Sequence, residues 1–108
     1  RNTPEQETVL CLDDLEVDRI RHTAVRSGKL LELTAREFEL LEYLTRHAGR
    51  VVSREVLARE VWKEPARYSP IDNVIDVHIA RLRRKLDDPF PRKLLKTVRG
   101  VGFVLRPE

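Results

Sequence analysis

The sequence lacks most of what would brace it covalently, seat it in a membrane or equip it for catalysis. One cysteine, Cys11, among 108 residues cannot close an internal disulfide, and methionine is absent. No apolar run approaches the ~20 residues that a membrane span needs, and the polar start does not read as a signal peptide. Glycine is scarce, at four residues. The one glycine-rich motif, Gly100-Val101-Gly102, precedes a strand-like run instead of opening a helix, which argues against a dinucleotide site. His22, His47 and His78 are far apart, and none pairs with Cys11 at a spacing that zinc sites use, so no metal and no cofactor is expected. Carboxylates such as Glu39 and Glu42 lie beside Lys or Arg and read as solvated charge. No acid–base pair or nucleophile constellation emerges, and the chain is not expected to be an enzyme. Cys11 sits in the apolar run Val9-Leu10-Cys11-Leu12, from which a buried structural thiol in a reducing, cytoplasmic setting is expected.

What is present is a globular composition, 41% hydrophobic and 36% charged, in a length suited to one domain of at most ~150 residues. A chain of this size buries well over half of its unfolded surface and needs no staple to fold. The net charge of +3 is unevenly spread. Residues 1–72 hold 12 basic and 14 acidic side chains, whereas residues 73–108 hold 9 basic and 4 acidic, a net of +5. A basic final third on a near-neutral body points to a localised face for a polyanion. Residues 1–8 are polar, contain Pro4 and read as an interdomain linker. With no methionine and a polar start, the chain is expected to be the inside of a longer protein, residues 9–108 forming its domain.

The pattern from Val9 to Leu33 is short and β-like. Candidate strands are Val9–Leu12, Leu15–Asp18, Thr23–Arg26 and Lys29–Leu33, with Asp13-Asp14 and Ser27-Gly28 as turns. Four strands this short form a small antiparallel sheet that needs packing support. Thr34 and Glu37 make a capping box, with Leu33 and Phe38 spaced as a hydrophobic staple. Phe38, Leu41, Leu44 and Ala48 then fall at helical spacing, predicting a helix over about 35–47. Val51-Val52 is long enough only for a bridge. Ser53 caps a second helix to about Trp62 that turns Val56, Leu57 and Val61 inward, and residues 63–72, with Pro65 and Pro70, form a loop.

The third helix, Asn73 to Leu86, carries the most information. Ile75, Ile79, Leu82 and Leu86 occupy an arc of about 60°, a narrow core stripe. The opposite face holds Val77, Arg81 and Arg84, flanked by His78, Ala80 and Lys85, with Arg83 to one side. Small apolar residues among arginines suit entry into the ~12 Å major groove, where arginine reads guanine. Leu95–Val98 and Phe103–Leu105, joined through the two glycines, make a terminal hairpin with Lys96, Thr97 and Arg99 near its tip. The fold expected is α+β: a winged helix-turn-helix with an N-terminal four-stranded antiparallel sheet, three helices and a C-terminal β-hairpin wing.

These residues carry a specific resemblance. Leu33-Thr34-Ala35-Arg36-Glu37-Phe38-Glu39-Leu40-Leu41, Val52-Ser53-Arg54-Glu55-Val56-Leu57, Val61-Trp62, Asn73 to Leu86 and Thr97 to Phe103 follow one another over almost the whole chain. They resemble the effector domains of OmpR/PhoB response regulators. The resemblance implies a third helix in the major groove, with Arg81 reading a base and Val77 touching one. It implies phosphate contacts from His78, Arg83, Arg84, Trp62, Thr97 and Asn73, and a minor-groove contact from Arg99. It further implies a receiver domain, absent from this chain and phosphorylated by a sensor histidine kinase, and contact of loop 63–72 with RNA polymerase. Two copies, monomeric in solution, would bind direct repeats of double-stranded DNA head to tail. Asp76 is expected to orient its neighbours, since phosphates repel a carboxylate.

Three departures stand out. Ala80 replaces an arginine of some members, Phe103 replaces a common tyrosine, and the Trp62–Asp76 loop is long. Asp87-Asp88-Pro89-Phe90 with Lys93-Leu94-Leu95 is similar to the copper and silver regulator subgroup. The alternative from another class is a winged-helix module that binds protein instead of DNA.

Overall fold

A computed structural model of the chain describes residues 8–63 and 71–107, without the side chain of Asp72. The expected linker, apart from Thr8, and residues 64–70 of the loop expected to meet RNA polymerase lie outside the described residues.

Period-two alternation builds the first layer. β1 (Val9–Leu12), β2 (Leu15–Asp18), β3 (Thr23–Arg26) and β4 (Lys29–Leu30) form an antiparallel meander in chain order. Leu10 stands opposite Val17 and Val17 opposite Ala24, and these three, with Leu15, are buried. Ser27 (φ 52°) and Gly28 (φ 78°) both take left-handed backbone, as a two-residue hairpin turn demands. Cys11 is exposed, which corrects the expected buried thiol. The pleat turns Leu10 into the core and therefore turns Val9 and Cys11 out. β4 stops at Leu30 instead of Leu33; one further bond, from the Leu31 N–H to the Ala24 carbonyl at 2.8 Å, precedes the helix entry.

The second layer is helical. α1 (Ala35–Arg46) starts on the expected capping box: the Glu37 N–H donates to Thr34 Oγ1 at 3.2 Å and the Thr34 N–H to Glu37 Oε1 at 3.0 Å. Phe38, Leu40, Leu41 and Leu44 pack inward against the sheet's Leu10, Leu15 and Val17 in one core. Ala48, placed on that stripe from its spacing, lies past the helix end and is exposed. α2 (Arg54–Glu60) is capped by Ser53, whose Oγ accepts from the Val56 N–H at 3.1 Å. It ends at Glu60, two residues before the expected Trp62, because Val61 already serves as its C-cap. α3 (Ile71–Leu86) begins two residues earlier than its stripe suggested, and buried Ile71 extends that stripe by a turn.

β5 (Leu95–Val98) and β6 (Gly102–Leu105) form the terminal hairpin, with Thr97 opposite Phe103. Val52 makes the expected bridge to β6: its N–H donates to the Phe103 carbonyl at 2.7 Å and its carbonyl accepts from the Phe103 N–H at 2.8 Å. A Cβ on Gly102 would stand 2.1 Å from the Val52 carbonyl oxygen, so glycine is needed here for strand contact.

A buried arginine ties the layers together. Arg26, with no exposed surface, donates from Nε to Asp14 at 3.0 Å and from Nη1 to the Leu86 carbonyl at 2.6 Å and Asp87 at 2.9 Å. Nη2 reaches the Arg92 carbonyl, and the Phe90 ring lies 4.8 Å under the guanidinium. Asp87 in turn accepts the N–H groups of Leu94 and Leu95, both at 3.0 Å. Asp87 and Phe90, which carried the likeness to the copper and silver subgroup, thus serve the fold.

Candidate nucleic-acid interface

The stripe of α3 fixes which side chains face outward. Ile75, Ile79, Leu82 and Leu86 are at most 2% exposed. At 100° per residue the centre of the opposite face falls among Arg84, Val77 and Arg81, with Asn73 and Ala80 beside them. All five are exposed, Val77 to 45%. Both exposed valines of this helix, Val74 and Val77, lie on the outward arc, where no packing demand explains them.

Several cations of the body are bound to carboxylates: Arg19 to Glu42, Arg36 to Glu39, Arg46 to Glu42, Arg59 to Glu60 and Arg92 to Asp13. Among the described residues, Arg81, Arg84 and Arg99 have no such partner. Three cations without counter-ions, on one helix face and one hairpin tip, leave a positive potential ready for a polyanion.

The flanks of α3 are fastened to its neighbours. On one side, the His78 ring meets the Trp62 ring edge-on at a centroid distance of 5.3 Å, and Nδ1 of His78 lies 2.9 Å from the Val74 carbonyl. The Arg36 guanidinium lies 5.4 Å over the same tryptophan ring and donates to the Val61 carbonyl at 2.6 Å. Also on this side, Lys85 Nζ donates to Glu37 Oε1 at 2.7 Å. Burial opposes ionisation of Glu37, but the bonds from Lys85 and the Thr34 N–H, with the charges of Lys85 and His78, outweigh it and hold the carboxyl below its ordinary value. On the other side, Asp76 accepts from Arg54 Nε at 2.8 Å, and Arg54 also lies 5.0 Å over the Phe103 ring. Asp76 orients a neighbour, as expected. Arg83 donates to the Leu95 carbonyl and to Thr97 Oγ1, reaching the hairpin directly.

The structure therefore gathers Asn73, Val77, Arg81 and Arg84 on one face, sets His78 and Trp62 at one flank, and joins Arg83 to Thr97 at the other. Arg99 stands exposed at the hairpin turn, next to Gly100 with its left-handed φ of 76°. The partners Arg54, Arg36 and Glu37 were missed as site-shaping residues. Only Glu37 gave a sequence signal, its capping-box position. Among the described residues no three His, Cys, Asp or Glu side chains group as a metal site would require, and no helix is long and apolar enough to cross a membrane.

Comparison with known proteins gives concordant likenesses. The family profile described as "Transcriptional regulatory protein, C terminal" matches residues 28–105. The transcriptional regulatory protein PcoR of Escherichia coli is 45% identical over 98 residues, covering 91% of this chain and 42% of PcoR. The DNA-binding domain of RstA from Klebsiella pneumoniae, solved in complex with the RstA box, superposes with a TM-score of 0.81 at 28% identity, over 94% of this chain and 100% of that one. The response regulator DrrB, a Thermotoga maritima OmpR/PhoB homologue, gives a TM-score of 0.79 at 36% identity, over 94% of this chain and 46% of DrrB. The chain spans less than half the length of the curated relatives it matches.

Proposed function

The chain belongs to the family of C-terminal domains of transcriptional regulatory proteins, in its OmpR/PhoB branch, and from that membership we propose that it binds double-stranded DNA sequence-specifically, with α3 in the major groove and the β5–β6 wing in the adjacent minor groove. The observation that carries this reading is the outward face of α3. There, two arginines without counter-ions among the described residues flank a small, exposed valine opposite a fully buried stripe. Arg81 reads guanine through its fork of donors, and Val77 gives apolar contact to a neighbouring base. Arg84, Asn73, His78 and Trp62 meet the phosphate backbone and set the register. Arg99 enters a narrow minor groove, whose negative potential attracts arginine.

The remaining assignments concern the longer regulator that the relatives' length suggests. A receiver domain joined through residues 1–8, phosphorylated by a sensor histidine kinase, would control the pairing of two copies on direct repeats. Residues 63–72 would contact RNA polymerase.

Selection of bound duplexes from a random pool, followed by affinity measurements across a salt series, tests the reading. Each phosphate neutralised contributes about −0.9 to the slope of log affinity against log salt. The expected result is an enriched sequence and a slope of several such units. No enrichment and a flat slope would turn the reading to a protein-binding winged helix.

A further inference from the structure

Arg83 is the α3 side chain that leaves its own helix for the wing. On the helical wheel it sits about 80° from Ile75, between the buried stripe and the outward face. Its guanidinium donates from Nε and Nη2 to the Leu95 carbonyl at 3.4 and 3.2 Å, and from Nη2 to Thr97 Oγ1 at 2.9 Å. Its acceptors are thus two alternate residues of one strand, both neutral. β5 is also held to the end of α3 through Asp87, which accepts the Leu95 N–H at 3.0 Å. The rest of the hairpin is held through β6, whose Phe103 pairs with Thr97 and is bridged to Val52, a residue outside α3. Arg83 adds a direct tie between α3 and β5 two residues beyond the Asp87 point, and so couples the helix itself to the direction of the strand. A lysine could not do the same, because its ammonium ends one bond short of the Nη2 nitrogen that reaches both acceptors.

We propose that Arg83 is a positioning residue, a strut that sets the angle between the recognition helix and the wing and thereby fixes how many base pairs separate the site read by Arg81 from the minor groove entered by Arg99. This rests on the DNA-binding reading above and deepens it. Arg81 and Arg99 stand on different elements, so their separation is a property of the joint between those elements. A rigid joint makes the protein sensitive to the spacing of its two contacts as well as to their sequence. A displacement of one base pair moves the second contact by ~3.4 Å along the axis and turns it by roughly 35°.

The test uses the domain as it stands, wild type and the variants Arg83→Met, Arg83→Lys and Thr97→Val. Amide hydrogen exchange in the absence of DNA is read first. Arg83→Met and Arg83→Lys should speed exchange across β5 and β6 while Ile75 and Ile79 keep their protection. Affinity is then measured at one salt concentration on the selected duplex and on duplexes with the A·T-rich flank moved by one base pair. Wild type should lose roughly tenfold on the moved flank, the scale of one mismatched base pair. Both Arg83 variants should lose most of that discrimination, and Thr97→Val part of it, while all keep the base preference set by Arg81. Unchanged wing exchange, with a uniform fall on every duplex that Arg83→Lys restores, would make Arg83 a phosphate contact and overturn the proposal. A wild type with no sequence preference would refute DNA reading itself, and the exchange measurement would still decide whether Arg83 holds the wing.

Discussion

Arg26 shows what single residues do in this fold. Its partners Leu86, Asp87 and Arg92 lie 60 to 66 positions along the chain, so one guanidinium joins β3 to the exit of α3 and the approach to β5. Arg26→Met would leave the Asp87 carboxylate buried without its counter-charge, and a loss of ~3–5 kcal/mol is expected in urea denaturation. A loss below about 1 kcal/mol, the worth of an exposed pair, would contradict this account. Glu37 contributes to the acid limb of stability, as does Asp14. At Asp14 burial opposes ionisation, but the bonds from Ser27 and Arg26 outweigh it and hold the carboxyl below its ordinary value. The folded pKa of Glu37 lies below the ordinary 4.5, so its contribution is complete above that value and is lost as pH falls through the lowered one. Glu37→Gln keeps an acceptor for the capping box but removes the charge, and stability plotted against pH should flatten on its acid side. An unchanged acid limb would place the acid sensitivity elsewhere. Glu37 was legible through its capping-box position, but the burial of Arg26 was not. Arg26 reads as a strand-end cation because its acceptors are far away in the chain, and Cys11 misled because an apolar run hides the pleat's alternation.

Elements whose signal is local were legible, and those that depend on distant backbone were not. The Thr34/Glu37 box and the four-residue core stripe of α3 each recur within a few turns of one helix, so spacing alone places them. The end of α2 was misplaced because Val61 is buried without being helical. Of the two wing glycines, Gly100 does serve the turn, but Gly102 serves the Val52 bridge, a contact across 50 positions that no spacing rule displays. Gly102→Ala should therefore push β6 off Val52 and destabilise the domain by ~1–3 kcal/mol, the usual cost of overpacking. Thermal denaturation measures the loss, and amide exchange should show it concentrated at Phe103 and Val52. A stable variant with an intact bridge would mean that the strand can shift at little cost.

At the scale of the whole molecule, the outward face of α3 was legible as a surface of the right composition, but its isolation from counter-ions among the described residues was not. That isolation emerges only when acids of the sheet and of α1 are seen occupied by other cations, as Glu42 is by Arg19 and Arg46. The proposed pairing of two copies on DNA is testable by spacing. Two copies on direct repeats about one helical turn apart, roughly 10–10.5 base pairs, would place both α3 helices on one side of the duplex. Five inserted base pairs would turn them to opposite sides, and cooperativity in a titration of the two-site duplex should largely vanish; undiminished cooperativity would exclude a head-to-tail contact. The central claim, that α3 reads bases through Arg81, is tested most directly by a cycle of two proteins on a set of duplexes at fixed salt. Wild type and Arg81→Ala are titrated with the selected duplex and with versions in which each G·C pair is replaced in turn. The account predicts coupling of ~1–3 kcal/mol between Arg81 and one or two adjacent base pairs, and none elsewhere. An equal loss of affinity on every duplex, with no coupling at any position, would contradict it.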